Sequence, residues 1–225
     1  MKTTKKPPLI IFCHGFTGDK YEWGRFPETA KKLNEKGYDA IIFDFSGSGG
    51  NKREPVLLSK QVKDLEDVYN WAKDLDYRDF ATIGLSFGGL TALITNLPVQ
   101  AAIFWAPAFY MEQITNDSLY SHFPFKLPSA APPEIYIEEE FILELKEIKT
   151  DDHLQQFKIP SLIIHGELDT TVKPELSVKA IGQMPLTINH KLHLVRNAGH
   201  LFNDKQLEEF IVESIKWLQK YLHID

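Results

Sequence analysis

Cysteine is nearly absent from this chain: Cys13 is the only one in 225 residues. One thiol closes no internal disulfide, so the fold needs no covalent staple and a reducing compartment suits it. Long apolar runs are also missing. The opening stretch Met1-Lys2-Thr3-Thr4-Lys5-Lys6-Pro7-Pro8 is polar. The apolar run after it is too short for a signal-peptide core or a membrane span. The expectation is a cytoplasmic protein without stable membrane association. A basic excess is lacking too, with 25 Lys and Arg against 31 Asp and Glu and a net charge of −6. That balance argues against nucleic acid or an anionic membrane as a partner. No internal repeat or low-complexity tract occurs. His153, His190, His193 and His223 have no partner at metal-ligand spacing, so neither a zinc site nor any other cofactor is expected.

What is present is ordinary for one domain, or one domain with an insertion. Hydrophobic residues make up 43% and charged residues 25%. A chain of this size buries roughly 70–75% of its unfolded surface. Short apolar runs alternate with amphipathic stretches, the pattern of a mainly parallel sheet covered on both faces. Strands are expected at Leu9–Cys13, Ala40–Asp44, Phe80–Gly84, Ala101–Trp105, Ser161–His165 and His190–Val195. Helices are expected near 26–36, 61–75, 87–96, 174–183 and 206–222. In Gln61–Leu75, for instance, Val62, Leu65, Val68, Tyr69 and Ala72 share one face.

One segment breaks the alternation. Residues 109–152 carry Phe109, Tyr110, Met111, Tyr120, Phe123 and Phe125, four prolines, a possible hairpin strand at Glu134–Glu138 and a short helical pattern. Insertions of this length in an α/β domain are usually functional. It is read as a small cap on a core formed by 1–108 and 153–225. The acidic cluster Glu138, Glu139, Glu140, Glu144 and Glu147 reads as a solvated face.

The chemistry begins at Gly84-Leu85-Ser86-Phe87-Gly88, between an apolar strand and a helix. Strand, Gly-x-Ser-x-Gly, helix is a nucleophile elbow, which exposes the serine Oγ on a strained turn. Five residues with three fixed positions are weak support alone. Ligands in parallel α/β sheets bind beyond the carboxyl ends of the strands, and further groups fall there. Asp169 follows the strand Ser161–His165, and His200 follows His190–Val195. The order Ser86, Asp169, His200 is the one such an elbow requires. Glu167 is a rival acid but lies nearer its strand end. Cys13-His14-Gly15-Phe16-Thr17-Gly18 follows the first strand. Its Phe16 N–H, with that of Phe87 at the helix start, is expected to form an oxyanion hole. His14 and His165 read as structural supports. Cys13 reads as a buried structural residue, because neighbours on a strand point to opposite faces. Asp44 with Gly47 and Gly49 reads as a turn shaping the pocket edge. Trp105, Phe109, Tyr110, Val172, Leu201 and Phe202 are the expected pocket residues.

The set His14-Gly15-Phe16, Gly84-Leu85-Ser86-Phe87-Gly88, His165-Gly166-x-x-Asp169 and Gly199-His200 resembles the α/β-hydrolase superfamily over nearly the whole chain except the cap. With Phe43-Asp44-Phe45-Ser46-Gly47-Ser48-Gly49, it is similar to small carboxylesterases that include feruloyl (cinnamoyl) esterases. The resemblance implies a serine carboxylic ester hydrolase with an aromatic-lined pocket, taking a small-molecule ester. Thioesterase, peptidase and non-catalytic binding module remain as alternatives. The superfamily sheet usually opens with an antiparallel pair, for which this sequence has no room, so about six parallel strands are expected. The edge left open, or aromatics exposed on the cap, could support a homodimer.

Overall fold

A computed structural model describes residues 5–111, 125–127 and 134–224. The six strands expected from the sequence are met by β1 (Leu9–Cys13), β2 (Asp39–Ile42), β3 (Phe80–Leu85), β4 (Ala101–Trp105), β7 (Ser161–Gly166) and β8 (His190–Val195). They form one sheet in the order β2-β1-β3-β4-β7-β8, with every neighbouring pair parallel. A second sheet pairs β5 (Phe125–Leu127) antiparallel with β6 (Ile135–Ile137). The helices are α1 (Arg25–Glu35), α2 (Leu58–Asp74), α3 (Phe87–Thr95), α4 (Glu139–Glu147), α5 (Thr150–Gln156), α6 (Pro174–Gln183) and α7 (Asp204–Tyr221). No helix among the described residues is long and apolar enough to cross a membrane.

The strands bury both faces because their residues alternate between two cores. Ile10 and Phe12 join α1 and α7 on one side of the sheet. Leu9, Ile11 and Cys13 join α2, α3 and α6 on the other. Burial pushes the Cys13 thiol pKa far up, which leaves it un-ionised and inert. The expected end of the second strand is corrected. β2 stops at Ile42, and Asp44 lies beyond it, its carboxylate accepting from the Lys20 and Gly50 amides and the Lys20 ammonium. This turn therefore braces the loop after β1 and does not line the cavity beside Ser86.

Helix ends follow local chemistry. After α1, Gly37 takes a φ of +85°, its N–H bonds Asn34 and the Tyr38 N–H reaches back to Leu33. That closes the helix as glycine permits and a side chain resists. The N-terminus of α2 is capped from a distance. Glu144 on α4 accepts from the Leu58 N–H at 2.8 Å and from the Ser59 N–H at 3.3 Å. One of the expected solvated glutamates is thus a helix cap, favoured by the positive end of the dipole.

A third cluster joins the segment after β4 to the body. Ile135, Ile137, Phe141 and Leu145 pack with Phe87, Leu90 and Val172. Residues 112–124 and 128–133 of the expected cap, with Tyr120 and Phe123, lie outside the described residues.

Candidate active site

The reversal of strand order lies between β1 and β3, and their register pairs Cys13 with Gly84. That juxtaposition sets the loops that begin at His14 and Ser86 side by side, at the crevice where such sheets bind ligands. Ser86 sits between β3 and α3 with φ 52° and ψ −116°, a conformation costly for a non-glycine residue. Its neighbours explain how the turn is tolerated. A Cβ on Gly84 would lie 2.6 Å from the Gly88 carbonyl oxygen, and one on Gly88 only 2.2 Å from that of Cys13. The turn is anchored on β4, with the Ser86 N–H donating to the Trp105 carbonyl at 2.8 Å and its carbonyl accepting from the Ala108 N–H at 3.0 Å.

The ends of β7 and β8 are laced together. Glu167 N–H bonds the Val195 carbonyl and Leu168 N–H bonds that of Ala198. Gly166 permits this approach, since a Cβ there would meet Ala198 O at 2.3 Å. The lacing brings Asp169 and His200 together. His200 Nδ1 lies 2.7 Å from Asp169 Oδ2, and His200 Nε2 lies 3.0 Å from Ser86 Oγ. Asp169 Oδ1 accepts the N–H groups of Thr171 and Val172, each at 2.9 Å. Burial works to raise the Asp169 pKa, but hydrogen bonds from His165, His200 and Val172 outweigh it. The carboxyl is held well below the usual range. The His200 loop is set by α7, where Asn203 and Gln206 form a capping box and Gln206 also bonds the Asn197 carbonyl. A hydroxyl, an imidazole and an ionised carboxylate in this line can generate a nucleophile at the oxygen.

The loop after β1 faces the serine. His14 Nε2 accepts the Phe45 N–H at 3.1 Å, so its Nδ1 carries the proton and donates to the Gly15 carbonyl at 2.9 Å. Burial lowers the His14 pKa and keeps the ring neutral. The Gly18 N–H bonds the same carbonyl. Across the planar trans peptide, a carbonyl held on one side turns the Phe16 N–H to the other. Among the described residues neither the Phe16 nor the Phe87 amide has a hydrogen-bond partner. Both residues line the cavity that holds Ser86.

That cavity measures about 400 Å³, within the range of small-molecule sites. Its walls are mostly apolar, with Phe16, Leu85, Phe87, Ala108, Met111 and Val172 around the serine and Trp23 and Leu201 also lining it. Phe16 stacks on Phe141 and meets Phe87 edge-on, so the aromatic wall is rigid. Of the six expected pocket residues, Val172 and Leu201 line it and four do not. Trp105 is buried beneath the sheet, its indole N–H on Ser214 Oγ at 3.0 Å. Phe202 stacks on Phe210 in the same core. Phe109 packs on Phe104, and Tyr110 bonds Asp151. Position at or near a strand end placed these four close to the site in sequence, but their packing in the two cores keeps them off the cavity lining. The sequence reading passed over Glu22, a buried carboxylate on the cavity lining. Its signal was a lone charge between Tyr21 and Trp23, downstream of Gly15 and Gly18.

A doubly wound parallel sheet carrying a serine on a strained elbow defines the class. Comparison with known proteins agrees. Residues 8–97 match the alpha/beta hydrolase fold family. Among curated proteins, the chain is 37% identical over 89 residues to an uncharacterized 31.7 kDa protein of Escherichia coli, across 37% of this chain and 30% of that one. It is 22% identical over 225 residues to a carboxylesterase of Bacillus subtilis, across 96% of this chain and 84% of the relative. Among solved structures, ferulic acid-bound Est1E of Butyrivibrio proteoclasticus superposes with a TM-score of 0.82 at 26% identity, over 97% of this chain and 91% of that one. The chain spans between 30% and 63% of the length of the first curated relatives it matches. The chain has the α/β-hydrolase fold and is similar to esterases of that superfamily.

Proposed function

We propose that the protein is a serine carboxylic ester hydrolase acting on small to medium acyl or aromatic esters. The observation that carries this reading is the line from Ser86 Oγ through His200 to Asp169, at 3.0 and 2.7 Å, on the lining of an apolar cavity. His200 takes the Ser86 proton as Oγ attacks the ester carbonyl, and Asp169 stabilises the imidazolium. The Phe16 and Phe87 N–H groups receive the oxyanion. Collapse expels the alcohol with the proton from His200. Water, deprotonated by His200, then attacks the acyl-enzyme and releases the acid.

Residues 109–152 act as a cap whose α4 supports the aromatic wall through Phe141, and the apolar cavity takes the acyl group. The printed names of the relatives, a carboxylesterase and a ferulic acid complex, support the same class. A peptidase acting on free amino termini needs a carboxylate to hold the amine. Among the described residues the lining offers only Glu22, which is already engaged by Gly15 and Arg25. That favours the ester over the peptide.

The test is a panel of p-nitrophenyl esters from acetyl to decanoyl, with methyl ferulate and an acyl thioester, together with fluorophosphonate labelling. Turnover of the esters and label on Ser86 are expected. A chain that neither hydrolyses an ester nor takes the label is a binding module on this scaffold, and one that cleaves only the thioester is a thioesterase.

A further inference from the structure

Glu22 has no part in the steps above, yet it stands beside them. It is 1% exposed, and its Oε1 accepts the Gly15 N–H at 2.6 Å. The seat for this carboxylate is built in. A Cβ on residue 18 would fall 2.2 Å from Oε1, so Gly18 leaves the space empty. The main chain is bent to deliver the side chain, with φ of 44° at Glu22, 53° at Trp23 and 92° at Gly24. Two successive non-glycine residues in the left-handed region persist only where their surroundings over-determine them. Asp19 helps to do so, its carboxylate accepting the Tyr21 and Glu22 N–H groups.

Resting on the hydrolase reading, we propose that Glu22 is a positioning residue for the oxyanion, holding the loop after β1 so that the Phe16 N–H is aimed at the reacting carbonyl. Gly15 is the joint in that loop, and glycine has the widest freedom of any residue. The structure removes that freedom from both sides. Glu22 pins the peptide before Gly15 by its N–H, while His14 and Gly18 pin the peptide after it by its carbonyl. With both planes held, the Phe16 amide has one direction. Misplacing such a donor by about 1 Å costs on the order of a hundredfold in rate.

The pin is strongest when the carboxylate is charged, because charge-assisted hydrogen bonds are about twice as strong as neutral ones. Burial pushes the Glu22 pKa up to about 7, against the Gly15 N–H and Arg25, which pull it down. The charges facing it are Arg25 on α1, 3.6 Å from Oε2, Asp19 in its own loop and His200 in the loop after β8. The loop is then fully held only once Glu22 has lost its proton, a requirement added to those of the base.

The experiment compares wild type, Glu22→Gln and Gly18→Ala on a p-nitrophenyl ester across pH 5 to 9. The Gln side chain keeps an acceptor for Gly15 but never charges. The expected result is kcat lower by about tenfold or more at pH 8 with KM within about twofold. The acid limb of log kcat/KM, steeper than one in wild type, falls to a slope of one in Glu22→Gln. Gly18→Ala displaces the carboxylate and lowers kcat in the same way. A merely structural glutamate would change the melting temperature and leave the kcat of the folded fraction and the limb unchanged, and that result overturns the proposal. If wild type neither turns over ester nor takes a fluorophosphonate on Ser86, the hydrolase reading falls and this proposal with it. Normal wild-type turnover and labelling with unchanged variants overturns this proposal alone.

Discussion

His165 Nε2 lies 3.1 Å from Asp169 Oδ2, the oxygen that also holds His200. The same nitrogen is 2.9 Å from the Val172 carbonyl, so it faces two acceptors and must carry a proton. Its other nitrogen meets Ser177 Oγ at 2.7 Å. Asp169 is therefore oriented from β7 and α6 as well as from its own loop. Replacing His165 with Phe strips a donor from two buried acceptors. The expected loss is about 2–4 kcal/mol, read from the urea midpoint, with a drop in kcat from the loosened carboxylate. A variant as stable and active as wild type would remove His165 from this role.

Ser86→Ala is expected to lower turnover of p-nitrophenyl butyrate by at least about a thousandfold while leaving the urea midpoint within about 0.5 kcal/mol. Relief of the strained φ at residue 86 has no part in this, because Ala meets the same steric cost as Ser. Retained turnover would end the proposed mechanism.

Asp169→Asn keeps the shape but offers an amide where His200 Nδ1–H needs an acceptor, favouring the wrong tautomer. A fall in kcat on the order of ten-thousandfold is expected. Glu167→Gln, at an exposed position on the same loop, should stay within twofold. Reversal of the two results would exchange the roles of the acids.

Stability should respond to pH through Glu22 in a definite direction. Its carboxyl, raised from 4.5 to about 7 on folding, holds its proton more tightly in the folded chain than in the unfolded one. That contribution is fully present below about pH 4.5 and is lost as pH rises through about 7. Glu22→Gln carries no such loss, so it should be the more stable protein at pH 8, by roughly 3 kcal/mol at most, and lose the advantage by pH 4. Equal urea midpoints for the two proteins at both pH values would contradict the burial argument. Asp169 works in the opposite sense. Its depressed pKa stabilises the fold above the ordinary carboxylate range and is lost on acidification.

The cavity wall offers a test of selectivity. Val172 is buried against Phe87 and Phe141 and lines the cavity. Val172→Phe should fill acyl space and shift preference on an ester panel toward shorter chains by raising KM for the long ones. Ser214→Ala, beneath the sheet, should instead cost about 1–3 kcal/mol by orphaning the Trp105 indole N–H, with the ester profile unchanged. An altered chain-length profile in Ser214→Ala would return Trp105 to the pocket.

Much of this protein is written locally. Strands buried on both faces must be apolar throughout, so Leu9–Cys13 and Ala101–Trp105 stand out as runs, and the helices carry their faces in the spacing. Ser86, Asp169 and His200 each follow such a run, which made them legible as a set. Side-chain direction at the strand ends was not. Trp105 and Val172 were equal candidates by position, and only the packing of α7 against β4 sends one into the core while the other meets the cavity. Glu144 read as a solvated charge because its partners, the first amides of α2, lie 85 and 86 residues away. Glu22 was hidden for a different reason: its partners Gly15 and Arg25 lie within seven residues, but it reaches them only through a left-handed bend that its residue types do not announce.

The sequence by itself determined the alternation of elements, the elbow at Gly84-Leu85-Ser86-Phe87-Gly88 and the order of the three groups around it, because periodicity and glycine sterics act over a few residues. Only the tertiary structure decided which side chains meet. Hydrogen bonds of 2.6–3.0 Å between Ser86, His200, Asp169, Gly15 and Glu22 depend on the register of four strands and on a loop coiled through left-handed φ values. Those are properties of the packed sheet and of the folded loop that sits on it, and neither periodicity nor a motif announces them.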